Sequence, residues 1–277
     1  MSLMPFGDKS LDLSLPHVMG ILNVTPDSFS DGGAFSALDA AFQQADKMIR
    51  EGASIIDVGG ESTRPGAVPV STQQELDRVL PVIESIKKRF DIIVSVDTST
   101  ADVIRNASAL GAGLINDVRA LEREGSLQAA AQTNLPICLM HMKGTPKTMQ
   151  NSPEYTSVTD DVADYLVSRV DVCEAEGIGR HRLILDPGIG FGKTLTHNLS
   201  LLKNTKHFRK LGFHVLMGLS RKTMIGDVLS LPVEERLYGT MGANASAYSK
   251  GARIFRVHDV RPHVEMLALM SRIEREV

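Results

Sequence analysis

This chain has little of what marks several protein classes. Among its 277 residues there are two cysteines, Cys138 and Cys173, with no metal-ligand spacing between them. Cys138 lies in an apolar run and Cys173 on a helical stripe, so both read as small core residues in a reducing cytoplasm. No apolar run is long enough to cross a bilayer. No basic, apolar leader opens the chain, so secretion is not expected, and the N-x-S/T triplets at Asn23, Asn106 and Asn244 read as chance matches. Met1-Ser2-Leu3 ahead of a second Met4 reads as an added start. A formal net charge of -3 gives no electrostatic pull toward nucleic acid or anionic membrane. Without a Pro- or Ser-rich linker, residues 1–277 are expected to form a single domain.

Three enzyme signatures are also missing. The stretch Gly188-Ile-Gly-Phe-Gly-Lys-Thr194 is not a phosphate-binding P-loop, because Pro187 stands where the first glycine is required. It is not a dinucleotide fingerprint either, since its third glycine comes one residue early. Ser220 is not in a G-x-S-x-G elbow, which argues against a serine hydrolase.

What is present is alternation. Apolar, β-branched runs occur at Val18–Asn23, Ser54–Gly59, Ile92–Asp97, Leu114–Asp117, Ile137–His141, Leu183–Asp186, Val215–Leu219 and Arg253–Val257. Continuous apolar character is the mark of strands buried on both faces. Between them the period becomes helical, as in Leu38-Ala41-Phe42-Ala45-Ile49, in Leu76-Val79-Leu80-Ile83-Ile86, and in Val162-Tyr165-Leu166-Val170-Cys173. Thr72-x-x-Glu75 reads as a capping box opening the second stripe. Eight βα units in a chain of this length predict an α/β fold, a TIM (β/α)₈ barrel, which typically takes about 250 residues. An open doubly wound sheet is the alternative.

The polar residues gather at one end of these runs. Asn23, Asp57, Asp97, Asn116, His141 and Asp186 end or nearly end six of them; Ser220-Arg221-Lys222 follows the seventh, and Arg256 and His258 close the eighth. Each alone could cap a strand or helix. Together, in a barrel, they converge on the carboxyl-terminal face, where barrel enzymes carry their chemistry.

The segment Met19-Gly-Ile-Leu-Asn-Val-Thr-Pro-Asp-Ser-Phe-Ser-Asp-Gly-Gly33 passes abruptly from apolar to a loop rich in hydroxyls, carboxylates and glycine. It resembles the first signature of the dihydropteroate synthase family. Asp57-Val-Gly-Gly-Glu-Ser-Thr-Arg-Pro-Gly66, Ser95-Val-Asp-Thr98, Ile115-Asn-Asp-Val118, Asp186-Pro-Gly-Ile-Gly-Phe-Gly-Lys193, Gly218-Leu-Ser-Arg-Lys-Thr223 and Arg256-Val-His258 are similar to later motifs of that family, in the same order. The likeness runs from about residue 18 to 263. Thr223 stands where serine is commoner in the family, and it keeps the hydroxyl.

The resemblance implies condensation of a dihydropterin pyrophosphate with p-aminobenzoate in folate biosynthesis, and competition by sulfonamides. It places the pterin against Asp97, Asn116, Met140, Asp186, Phe191 and Lys222. Pyrophosphate would meet Asn23, Thr63, Arg64, Arg256 and His258, with Mg²⁺ held through Asn23, a metal that keeps most of its waters. p-Aminobenzoate would meet Thr63, Pro65, Phe29, Phe191, Ser220, Arg221 and Thr223. Asp97, Arg256, His258 and Lys222 would carry the chemistry, with Asp97 stabilising a pterin cation. The connections Val24–Ser36 and Gly60–Ser71 are long for a barrel and suit ordering over substrate. A homodimer is implied as well. A pterin-dependent methyltransferase module, a non-catalytic pterin-binding paralogue and a Schiff-base aldolase using Lys222 are the alternatives.

Overall fold

The computed structural model describes residues 2–25, 34–62, 66–145, 149 and 153–276. Eight parallel strands close on themselves, each beside the next in chain order and the last beside the first. They are β3 (His17–Asn23), β4 (Ile55–Gly59), β5 (Ile93–Asp97), β6 (Leu114–Asp117), β7 (Ile137–Met140), β8 (Leu183–Asp186), β9 (His214–Met217) and β10 (Ile254–Val257). The expected barrel is therefore present and the open sheet is not. Strand ends move by a residue or two from the expected ones: Ser54, Ile92, His141, Gly218, Leu219 and Arg253 fall just outside the ladder.

Around the strands lie α1 (Ala34–Arg50), α2 (Thr72–Arg89), α3 (Ala101–Ala109), α4 (Ser126–Ala131), α5 (Val158–Ala175), α6 (Leu195–Lys203), α7 (Thr205–Lys210), α8 (Thr223–Leu229), α9 (Leu237–Ser249) and α10 (Val260–Arg275). Helix α1 takes in Ser36, so the first connection is shorter than expected. Outward strand residues such as Ile56, Val58, Val94 and Val96 pack on Ala41, Ala45, Val79, Ile83 and Ile86, the helical stripes read from the sequence. Cys138 and Cys173 are buried and unpaired in a disulfide.

The box opening α2 is displaced by one residue. Ser71 is the N-cap, its hydroxyl accepts from the Gln74 N–H, and the Gln74 side chain accepts from the Ser71 N–H. Glu75 is thereby released. It turns inward, almost fully buried, to accept from the Thr98 and Thr100 hydroxyls at 2.5 and 2.6 Å.

A hairpin that the sequence pattern does not announce precedes the barrel: β1 (Leu3–Phe6) pairs antiparallel with β2 (Lys9–Asp12). Leu3 belongs to it, and the Ser2 carbonyl accepts from the Leu13 N–H at 2.7 Å, so the first residues are built into the fold. Its Met4, Phe6 and Leu13 plug the amino-terminal end of the barrel. They pack on one residue from each barrel strand: Met19, Ile55, Ile93, Leu114, Cys138, Ile184, Leu216 and Ile254. A Cβ on Gly113 would meet the Phe6 carbonyl at 2.8 Å, so glycine lets the plug seat there.

Candidate active site

Strand side chains alternate with period two. The residues two positions beyond the plugged layer therefore share its inward face: Ile21, Asp57, Ser95, Asn116, Met140, Asp186, Gly218 and Arg256. One step toward the carboxyl end, an apolar interior becomes charged and hydrogen-bonding. Asn23 and Asp97 lie two residues further along their own strands, half-buried.

Arg256 organises the layer. Its Nε donates to Asp57 Oδ2 at 2.6 Å and its Nη2 to Asp97 Oδ2 at 2.7 Å. Asn116 Nδ2 donates to the same Asp57 oxygen at 3.1 Å. Burial pushes Asp97 up to about 7, against the pull of Arg256 and with a further push from the Asp57 charge. Burial works against the Arg256 charge too, but Asp57 and Asp97 outweigh it and raise its affinity for its proton.

Asp186 and Lys222 form the opposite wall. Asp186 Oδ1 accepts from the Gly188 N–H at 2.7 Å, and burial raises its pKa while Lys222 draws it down. Lys222 Nζ donates to the Ile189 carbonyl and sits 4.6 Å from the centre of the Phe191 ring. Burial lowers Lys222 to about 8, with Asp186 opposing. Met140 closes β7 beside Asp186, its registered partner on β8.

The Asp186–Lys193 turn is held by Lys193, a residue not singled out from sequence. Its ammonium is buried and bonds His141 Nδ1 at 2.9 Å and the carbonyls of Gly188 at 2.8 Å and Phe191 at 2.9 Å. Burial, then the Lys193 charge, lowers the His141 imidazole to about 3, so it is neutral at pH 7. Gly188 has φ +68°, and a Cβ there would lie 1.8 Å from the His141 carbonyl oxygen; only glycine allows this approach.

The seventh and eighth strand ends interlock. The Ser220 hydroxyl accepts from the His258 N–H at 3.1 Å and lies 2.9 Å from His258 Nδ1. Donating its own proton to Nδ1 would leave the neutral ring's proton on Nε2. Arg221, at φ +57°, makes a two-point pair with Asp259 at 3.0 and 2.6 Å, so its guanidinium is already engaged. Thr223 is exposed at the start of α8. Phe29, Thr63, Arg64 and Pro65 lie outside the described residues.

A second ionic group ties two connections together, those after β4 and β6. Glu61, just past β4, receives Arg119 Nη1 and Nη2 at 3.0 and 3.1 Å, with Arg123 at 3.7 Å. Arg119 is presented by a turn in which Ala120 and Leu121 both have positive φ. Buried Asp117 accepts from the N–H groups of Arg119 and Leu121 at 2.8 and 2.9 Å, and Arg169 caps the Ala120 and Leu121 carbonyls. These contacts stabilise a backbone that costs on the order of 1–3 kcal/mol per residue.

No group of three or more His, Cys, Asp or Glu that could hold a metal ion occurs among the described residues. An oxygen-seeking ion here would have Asn23, at the end of β3, as a neutral ligand and the substrate's own oxygens as the rest. That donor set suits Mg²⁺.

The sequence pattern of the pterin binding enzyme family matches residues 19–258. The dihydropteroate synthase of Escherichia coli strain K12 is 53% identical over 262 residues, covering 95% of this chain and 93% of that protein. The crystal structure of the Yersinia pestis dihydropteroate synthase in a sulfonamide drug complex superposes with a TM-score of 0.94 at 48% identity, over 98% of this chain and 99% of that one. The Xanthomonas albilineans enzyme with 4-aminobenzoic acid gives 0.94 at 42%, over 100% and 99%. The chain belongs to the dihydropteroate synthase family of pterin binding enzymes.

Proposed function

We infer that this chain is a transferase of folate biosynthesis. It joins 6-hydroxymethyl-7,8-dihydropterin pyrophosphate to p-aminobenzoate, yielding 7,8-dihydropteroate and pyrophosphate, and it is a sulfonamide target. The observation that carries the reading is the charged layer inside the barrel, set two residues beyond its apolar plug. A flat heterocycle with several N–H donors needs acceptors on its edge, and Asp186 and Asn116 supply them. Lys222 donates to its oxo group, while Met140 and Phe191 face its rings.

Reaction proceeds by departure of pyrophosphate with the C–O bonding pair, leaving a cation delocalised into the dihydropterin. The amine of p-aminobenzoate then attacks, and its surplus proton passes to solvent or to the departed pyrophosphate. Asp97 opposes the cation; at about 4 Å and an effective dielectric near 20 their attraction is about 4 kcal/mol before desolvation. That corresponds to roughly 10²–10³ in rate. Arg256 spends Nε and Nη2 on the two carboxylates and has Nη1 left for phosphate oxygens, beside His258. The family resemblance would add Thr63 and Arg64 to that clamp. Phe191, with Phe29, Thr63 and Pro65, would line the aminobenzoate pocket, and Ser220 and Thr223 would receive its carboxylate, since Arg221 gives its N–H to Thr240 and its guanidinium to Asp259. Mg²⁺ bound through Asn23 would neutralise charge on the leaving pyrophosphate.

The chain acts as a cytoplasmic homodimer in this reading. Supporting the dimer, Leu199, Val228, Leu229, Val233 and Tyr238 are exposed on or between the mutually packed α6, α8 and α9. No helix among the described residues is long and apolar enough to cross a membrane.

The test is to supply both substrates and Mg²⁺ and follow pyrophosphate and dihydropteroate together. Product that requires all three is expected. Pterin binding without pyrophosphate release would point instead to a binding paralogue or a methyltransferase module.

A further inference from the structure

Asp57 has no place in the ligand contacts above, yet the charged layer is strung on it. It is fully buried on β4. One of its oxygens, Oδ2, takes both Arg256 Nε from β10 and Asn116 Nδ2 from β6. Arg256 extends the chain to Asp97 on β5. The other oxygen, Oδ1, is buried with no hydrogen-bond partner among the described residues. A carboxylate only accepts, so each neighbour must turn a donor toward it.

This matters most for Asn116. An amide can present either end to a ligand, and its orientation is set by the network around it. With the Nδ2 end committed to Asp57, the carbonyl end is the one turned to another partner. The same carboxylate holds the guanidinium of Arg256 through Nε, directing its other nitrogens toward Asp97 and the barrel mouth.

We propose that Asp57 is a positioning residue that sets the hydrogen-bond polarity of the pocket, fixing Asn116 as an acceptor and so selecting a heterocycle whose edge offers N–H donors. The proposal rests on the dihydropteroate synthase reading and deepens it. Asp57 also acts on Asp97 through charge. The ionisable groups facing Asp97 are Arg256, Asp57, Asp117 and Glu75, and of these only Arg256 favours its charged form. Neutralising Asp57 leaves Arg256 to Asp97 alone, so the Asp97 pKa falls.

The test uses the full chain and dihydropterin pyrophosphate, with wild type measured first. Asp57→Asn offers Asn116 no fixed acceptor. Pterin affinity should fall about 30-fold or more, while KM for p-aminobenzoate changes less than about threefold. The acid limb of kcat should move to lower pH by about one unit. Adding Asn116→Asp exchanges donor and acceptor across the same contact at unchanged net charge. The double variant should regain pterin affinity to within about fivefold of wild type. Asp57→Glu, which restores the charge but not the reach, should return the acid limb and leave binding weak.

Wild-type affinity in Asp57→Asn, or a double variant no tighter than the single one, would overturn the proposal. If Asp57→Asn does not fold, the charge-conserving double variant carries the comparison alone, and failure to bind pterin refutes the proposal. A wild type that binds no pterin would refute the underlying function instead, which separates the two failures.

Discussion

The two innermost layers of the barrel use the same strands and the same face, about 6.6 Å apart, and do opposite things. The lower one, from Met19 to Ile254, is apolar, sealed by the hairpin residues Met4, Phe6 and Leu13. Each such side chain contributes roughly 1.5–3 kcal/mol by leaving water. The upper one holds Asp57, Asn116, Asp186 and Arg256, and burial disfavours the charges of Asp186 and Arg256. It persists because each charge has a partner. One layer makes the barrel, and the other uses the barrel's rigidity to hold charges in place for a ligand.

The strongest way to break the contrast is to move a charge down one layer. Ile55→Asp puts a carboxylate against the plug with nothing to pair it. It should cost about 4 kcal/mol or more and leave little folded protein, whereas Asp57→Asn one layer up stays folded. Circular dichroism and a denaturant titration decide this. Next is Arg256→Met, which strands Asp57 and Asp97 together. About 3–5 kcal/mol of stability should be lost near pH 8, and turnover should fall by about 10³.

The loss has a defined pH dependence. Asp97 is raised in the folded state, from 3.8 to about 7, so the stability it contributes is complete at low pH and is lost as pH rises through that window. Removing Arg256 raises Asp97 further. The gap between wild type and Arg256→Met should therefore be small at pH 5 and large at pH 8. A gap that narrows with rising pH would contradict the pairing.

Much of this architecture is readable along the chain because strands buried on both faces stay apolar until the barrel ends. That is why Asp97, Asn116, Asp186 and Arg256 stand out as polar residues at or near the carboxyl ends of such runs. Asp57 stands out equally, but its task depends on Asn116 and Arg256, distant in sequence and brought together only by closure. Lys193 binds mostly backbone carbonyls, which leave no pattern in side-chain identity. Glu75 obeys a capping spacing that Ser71 and Gln74 take instead. The β1–β2 hairpin is two four-residue strands, too short to show a period, and its place is set by the open end it fills. Asp259, which engages Arg221, signals nothing until the seventh and eighth strand ends meet.

A milder break lies at the rim. Lys193→Met frees the carbonyls of Gly188 and Phe191, and should cost about 1–3 kcal/mol with KM for pterin up about tenfold, since Phe191 and Asp186 share that turn. Thermal melts and initial rates read both. Smallest is Ser71→Ala, which removes the cap of α2 far from the charged layer. About 1 kcal/mol of stability should go, with kcat unchanged.

The most direct test of the upper layer as a pterin pocket is calorimetric titration of dihydropterin pyrophosphate into wild type and Asp186→Asn. Saturable binding to wild type, weakened about 100-fold in the variant with the fold intact, is the predicted result. Equal affinity in the two proteins would place the pterin elsewhere and contradict the assignment of the layer.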